Sequence, residues 1–198
     1  SDVAVVGRFA DYRALGSVGS TSLLVTLFTG FLIGMGAGVN VRVAHGLGAG
    51  NQKETEQTIH SSFLICLVTG LIICAVGLTS SRAFLVLLHT KDELMEGAVN
   101  YLQIYSLGMP AMGLYNFGNG VMSARGDTKR PLVYLLIAGV LNVIMNLIFV
   151  IGFHMAAEGV AIASVMAQYT SAGLVLHHLW RRRDVCRLQL RKVRFHRM

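Results

Sequence analysis

Charge is scarce in this sequence. Asp, Glu, Lys and Arg make up 14% of the 198 residues, and 54% are hydrophobic. An ordinary soluble domain carries about 25% charged residues. Disordered chains are poor in hydrophobics and rich in charge, so disorder is excluded. Cysteine is also sparse. Cys66, Cys74 and Cys186 are an odd number, and the first two lie inside apolar runs, which excludes a disulfide scaffold. Two prolines and one tryptophan stand against 22 glycines. The seven histidines are scattered and none falls at zinc-binding spacing, so no metal site is expected. The turn at 46–50 lacks the Gly-Lys-Ser/Thr ending of a phosphate loop. No nucleophile sits beside a base, so neither an enzyme nor a cofactor is expected.

The charge that does exist is unevenly placed. Residues 1–180 hold nine basic and nine acidic residues, whereas residues 181–198 hold eight basic and one acidic, so the net +7 belongs to the tail. A basic tail behind an apolar body points to a membrane surface rather than to nucleic acid. Five runs contain no Asp, Glu, Lys or Arg: residues 14–41, 57–81, 97–124, 131–157 and 159–180. Each exceeds the roughly 20 apolar residues that a bilayer crossing needs. Backbone polar groups in lipid must bond within their own segment, so the spans are predicted to be helices. The expected class is an all-α integral membrane protein. The first residue is not Met and the last lie within a charge run, so the chain reads as part of a longer protein.

Alternate loops give an orientation. Loops 42–56 and 125–130 with the tail 181–198 hold 13 Lys/Arg; residues 1–13, 82–96 and 154–158 hold four. The positive-inside rule places the first set in the cytoplasm. Thr90 with Glu93 reads as a capping box opening the third span, and Thr128 as a cap for the fourth, with Pro131 in its first turn. Residues 46–51 read as a tight helix–helix turn. The tail beyond residue 183 reads as a basic cytoplasmic connector.

Several positions inside the spans stand out. Gly30, Gly34 and Gly38 lie four apart, the spacing of a doubled G-xxx-G, and predict helix packing. Pro110 lies mid-span and should kink its helix, for packing or as a hinge or cavity-facing bend. Asn142 and Asn146 share one helix face, as do Ser164 and Gln168. Amides in hydrocarbon are costly without partners, so these should face a bundle interior or a wet cavity. Tyr115, Asn116 and Asn119 add polarity to the cytoplasmic half of the third span. Asp2 precedes an apolar stretch and is unremarkable by composition.

Several segments together resemble the multidrug and toxic compound extrusion (MATE) family of secondary transporters. They are Asp2-Val3-Ala4-Val5-Val6-Gly7-Arg8, Gly34-Met35-Gly36-Ala37-Gly38, Ala44-His45-Gly46-Leu47-Gly48-Ala49-Gly50, Arg125-Gly126-Asp127-Thr128-Lys129-Arg130-Pro131 and Glu158-Gly159-Val160-Ala161-Ile162-Ala163-Ser164. The resemblance implies twelve transmembrane helices in two lobes. This chain then supplies the amino-terminal lobe over residues 1–183: the end of one helix and five full ones, with 184–198 leading to a second lobe. It implies a plasma-membrane antiporter that exchanges H+ or Na+ for a small organic compound, cationic or neutral. It also implies that Asp2 is the coupling acid and that Asn142, Asn146 and Ser164 join it in an ion and substrate site. The family usually carries an acid where Asn146 stands, which argues against a site of two acids. The alternatives are a flippase for lipid-linked saccharide precursors, which should carry cationic residues in its spans, and a non-transporting membrane scaffold.

Overall fold

The structure, a computed structural model, describes residues 12–155, 157–182 and 184–188. Six α-helices follow in order: α1 (Tyr12–Gly48), α2 (Gln52–Leu87), α3 (Asp92–Ser106), α4 (Met109–Ala124), α5 (Lys129–Leu147) and α6 (Ala157–Arg181). A π-helical turn, Ile148–Gly152, extends α5. Helices α1, α2, α5 with its π turn, and α6 are each long and apolar enough to cross a membrane. The third run of the sequence is divided between α3 and α4. The all-α membrane class therefore stands, and the end of the helix expected before α1 lies outside the described residues.

The division of that third crossing corrects the expected kink. Proline has no N–H, and its ring clashes with the carbonyl four residues earlier. For Pro110 that residue is Ser106, the last of α3. The chain tightens instead, with Leu107 N–H bonding the Ile104 carbonyl (3.1 Å) and Gly108 N–H the Tyr105 carbonyl (3.0 Å). The helix restarts at Met109 with Pro110 in its first turn, where the missing donor costs nothing.

Helix ends are set by local chemistry. After α1, Gly50 takes φ +69°, its N–H reaches the Leu47 carbonyl and the Asn51 N–H reaches the Gly46 carbonyl. This is a Schellman closure, and it satisfies carbonyls that α1 would leave open. Gly126 closes α4 in the same way at φ +80°, and His89 closes α2 at φ +54°. Asn51 then caps α2: its side chain accepts from the Glu54 N–H (3.1 Å) and donates to the Glu54 carboxylate (3.0 Å). The Thr90 capping box does not form, because α3 starts one residue later, with Lys91 at the cap and no side-chain bond there. Thr128 occupies the cap of α5 but makes no side-chain bond; the Asp127 carboxylate accepts from the Arg130 N–H instead.

Helix α4 is central and packs against α1, α2 and α6, whereas α5 leans on α6 and scarcely touches the rest. The close approaches are made by glycines other than those the spacing singled out. A Cβ on Gly120 would lie 2.4 Å from the Gly36 carbonyl oxygen, and one on Gly70 would lie 2.7 Å from Pro110 Cα. Gly30, Gly34 and Gly38 are exposed, and no described atom approaches a Cβ built on them. The physical reason is that α1 carries small residues on two faces, and Gly36, on the other face, meets α4.

The two ends of the bundle differ. At one end Arg125 pairs with Asp184, Asp127 with Arg130 (2.9 Å) and Arg182 (3.4 Å), and Asp184 also faces Arg182 (3.6 Å). The turn after α6 is not loose there. Cys186 and Leu188 are buried beside Val43, Phe117 and Leu179. Burial pushes the Cys186 thiol above its ordinary range, against the opposing pull of Arg125. At the other end the Asn100 amide donates to Glu158 (2.8 Å) and the Ser17 hydroxyl to the Leu94 carbonyl (3.3 Å).

Candidate functional site: a polar cleft between α1 and α5

Because α5 stands away from α1, a cleft of about 480 Å³ opens between them, backed by α3, α4 and α6. Its polar wall comes from facing helix stripes. Asn142 Nδ2 donates to Ser164 Oγ (3.1 Å), and Asn146 Nδ2 donates to Asn142 Oδ1 (3.3 Å). All three residues are buried. The four-residue spacing on α5 stacks the two amides, and α6 supplies the hydroxyl that orients them. Gln168, one turn beyond Ser164, lines the same cleft.

Opposite, α1 contributes Thr21, Ser22 and Thr26. Their hydroxyls donate to carbonyls of their own helix at 2.7–2.8 Å and so keep lone pairs for an occupant. From α3 come Tyr101 and Tyr105, stacked with ring centroids 5.8 Å apart and planes 22° apart. Among the described residues no charged side chain lines the cleft. The wall offers amides, hydroxyls and aromatic rings, suited to an organic molecule with a few polar groups and to a cation that prefers π faces and oxygen dipoles.

Of the residues singled out in the sequence, Asn142, Ser164 and Gln168 line the cleft, and Asn146 lies behind Asn142, bonded to it. Pro110 and Asn116 do not line it. Pro110 seats α4 against Gly70, and the Asn116 amide donates to the Met112 carbonyl (2.9 Å) while its backbone packs on Gly36. Both are packing residues in this arrangement, because α4 turns that face to α1 and α2 rather than to the cleft. Asp2 lies outside the described residues. The sequence reading missed Tyr101, Tyr105, Thr21 and Thr26. For Tyr101 and Tyr105 the signal was the same four-residue spacing that marked the asparagines; Thr21 and Thr26 are five apart and carry no such mark.

Comparison with known proteins gives the site its context. The MatE family model matches residues 1–148. The chain is 23% identical over 196 residues to the probable multidrug resistance protein NorM of Thermotoga maritima, covering 97% of this chain and 41% of that protein. It is 30% identical over 165 residues to the probable multidrug resistance protein YpnP of Bacillus subtilis, covering 82% and 37%. The outward-facing structure of a multidrug resistance MATE family transporter of the MOP superfamily superposes with a TM-score of 0.90 at 21% identity, over 99% of this chain and 44% of that one. The chain thus spans about two fifths of the length of the proteins it matches. On the family match, supported by the shared helical fold, the chain belongs to the MatE family, the multidrug and toxic compound extrusion transporters.

Proposed function

We propose that the transporter containing this chain exports small organic compounds, cationic or neutral, in exchange for H+ or Na+ by alternating access. The observation that carries this reading is the buried relay Asn146–Asn142–Ser164 set in a cleft without described charged side chains. A relay of oriented dipoles in low dielectric holds a cation or a polar ligand but lacks a fixed charge of its own. Asp2 supplies that charge in this reading. A carboxylate beside such a cleft binds a proton, a metal cation or an organic cation one at a time, so loading one expels the other. Coupling follows when only loaded states convert between outward- and inward-facing forms. A second lobe completes the cavity. In this reading the protein sits in the plasma membrane, and the excess of Lys and Arg in loops 42–56 and 125–130 and the tail 181–198 supports a cytoplasmic side for those segments.

The test is efflux of a fluorescent organic cation from cells expressing the full-length gene, with Asp2→Asn in parallel. It is run with and without sodium, and with and without a protonophore. Efflux that Asp2→Asn abolishes is the expected result, and its dependence on sodium or the protonophore names the coupling ion. Undiminished efflux from Asp2→Asn removes Asp2 from the coupling site. Absence of cation efflux from a folded, membrane-inserted protein overturns the export reading.

A further inference from the structure

The junction between α3 and α4 is flanked by residues of the cleft wall, and nothing in the transport reading uses it. Tyr105 and Met112 line the cleft on either side of Leu107-Gly108. Two consecutive side chains of α6 address this junction. The Tyr169 hydroxyl donates to the Leu107 carbonyl (3.1 Å). Gln168 Oε1 rests on Gly108: a Cβ there would stand 1.7 Å from it and 3.3 Å from the Tyr105 carbonyl oxygen. That Oε1 is buried and accepts no hydrogen bond among the described residues.

A buried amide oxygen without a donor is a standing penalty, and the penalty ends when a donor arrives. Gln168 also lines the cleft, so rotation about its side-chain bonds carries Oε1 from the junction to an occupant. A half-turn of the carboxamide reaches the same end. It sets the NH2 toward the Tyr105 carbonyl and the oxygen toward the cleft. In both arrangements an occupant bearing N–H completes the hydrogen bonding of Gln168, and an occupant of equal charge without N–H does not.

We propose that Gln168 is a specificity-determining residue, which selects organic cations carrying an N–H donor over quaternary cations of the same size. Gly108 is its resting place, since any side chain there occupies the position of Oε1. The inference rests on the reading of the cleft as an organic-cation site.

The test measures binding of two probes to the purified full-length transporter: a dansyl-labelled tertiary alkylamine, protonated at pH 7, and its N-methylated quaternary counterpart. The wild type is expected to favour the N–H cation by about tenfold, the scale of one hydrogen bond to a charged group. Gln168→Met should abolish the preference by lowering affinity for the N–H cation toward that of the quaternary probe. Gln168→Glu should enlarge the preference. Gly108→Ala, which evicts the carboxamide from the junction, should raise affinity for the N–H cation alone. Equal wild-type affinities, or a preference that survives Gln168→Met, overturn the inference while cation binding stands. If the Met variant does not fold, an unchanged ratio in Gln168→Glu overturns it. If neither probe binds the folded wild type, the organic-cation reading falls first and this inference falls with it.

Discussion

Helices α4 and α5 are of similar length and both predominantly apolar, yet they are held in opposite ways. Helix α4 is clasped by α1, α2 and α6. On two of these sides backbone meets backbone: Gly120 against Gly36 of α1, and Pro110 against Gly70 and Gly113 against the Cys66 carbonyl of α2, while Gly118 receives the Val175 side chain of α6. Helix α5 leans on α6 and is fixed to it by the Asn142–Ser164 hydrogen bond, and by its Pro131 carbonyl to the Tyr115 hydroxyl of α4 (3.1 Å). The clasped helix has no freedom to change its distance from its neighbours, because small residues leave no compressible side chain between them. The leaning helix forms one wall of the cleft and packs closely on α6 alone. Close and loose packing are thus divided between two helices by where the glycines meet a neighbour.

The largest test of this contrast places the same side chain on both helices. Gly120→Leu should cost roughly 3 kcal/mol or more, since neither backbone at the α1–α4 crossing can yield. The expected result is loss of monodisperse protein in detergent. Gly139→Leu on α5, where no described atom lies within 4 Å of a Cβ, should leave yield and melting temperature unchanged while narrowing the cleft that Gly139 lines. A Gly139→Leu protein as unstable as Gly120→Leu would end the comparison.

A smaller effect is expected from the polar tie of α5. Asn142→Leu deprives Ser164 and Asn146 of one hydrogen bond each and should cost about 0.6–2 kcal/mol, the range for interhelical polar bonds in membranes. Thermal melts of the purified protein measure it, and a double-mutant cycle with Ser164→Ala isolates the pair. Smaller again is the ion-pair end. Asp184→Asn should cost up to about 1 kcal/mol, less at high salt, because these pairs are partly solvated. It should also loosen the turn that buries Cys186, so maleimide labelling at Cys186, followed by mass spectrometry, should accelerate over the wild type. The smallest effect is a gain. His89 holds a left-handed conformation that favours glycine, and His89→Gly should stabilise by about 0.5 kcal/mol, after the added freedom of the unfolded chain is offset against the relieved strain.

What the sequence disclosed follows the same division. Crossings were legible because charge in lipid is costly everywhere along a span, so its absence marks the span directly. The turn at 46–51 was legible because a Schellman closure needs only its own few residues. Asn142, Asn146, Ser164 and Gln168 were legible because buried amides and hydroxyls on one helix face must find partners. The packing glycines were not, since G-xxx-G spacing shows that a face is small but not which neighbour meets it. On α1 that ambiguity favoured Gly34 over Gly36. The start of α3 was misplaced by one residue because Thr90 and Lys91 compete for the cap, and the Schellman closure at His89 consumes the Thr90 N–H. Tyr101 and Tyr105 escaped notice because aromatic pairs at helical spacing are ordinary core residues, and only the retreat of α5 from α1 turns them toward a cleft.

The hydrogen bond from Asn142 to Ser164 also bears on how the protein is made. Helix α6 has the lowest hydropathy of the four long spans, 1.4 against 2.5 for α5 with its π turn, and carries Ser164, Gln168 and Ser171 on one stripe. Left alone at the exit of the insertion machinery, such a segment partitions weakly into lipid. Its partner arrives just ahead of it in synthesis, holding out an amide that the hydroxyl of α6 can satisfy. The two helices form a hairpin in which the least apolar of the four long spans follows and leans on the most apolar one, so the hydroxyl of α6 has its amide partner in place as α6 meets the bilayer.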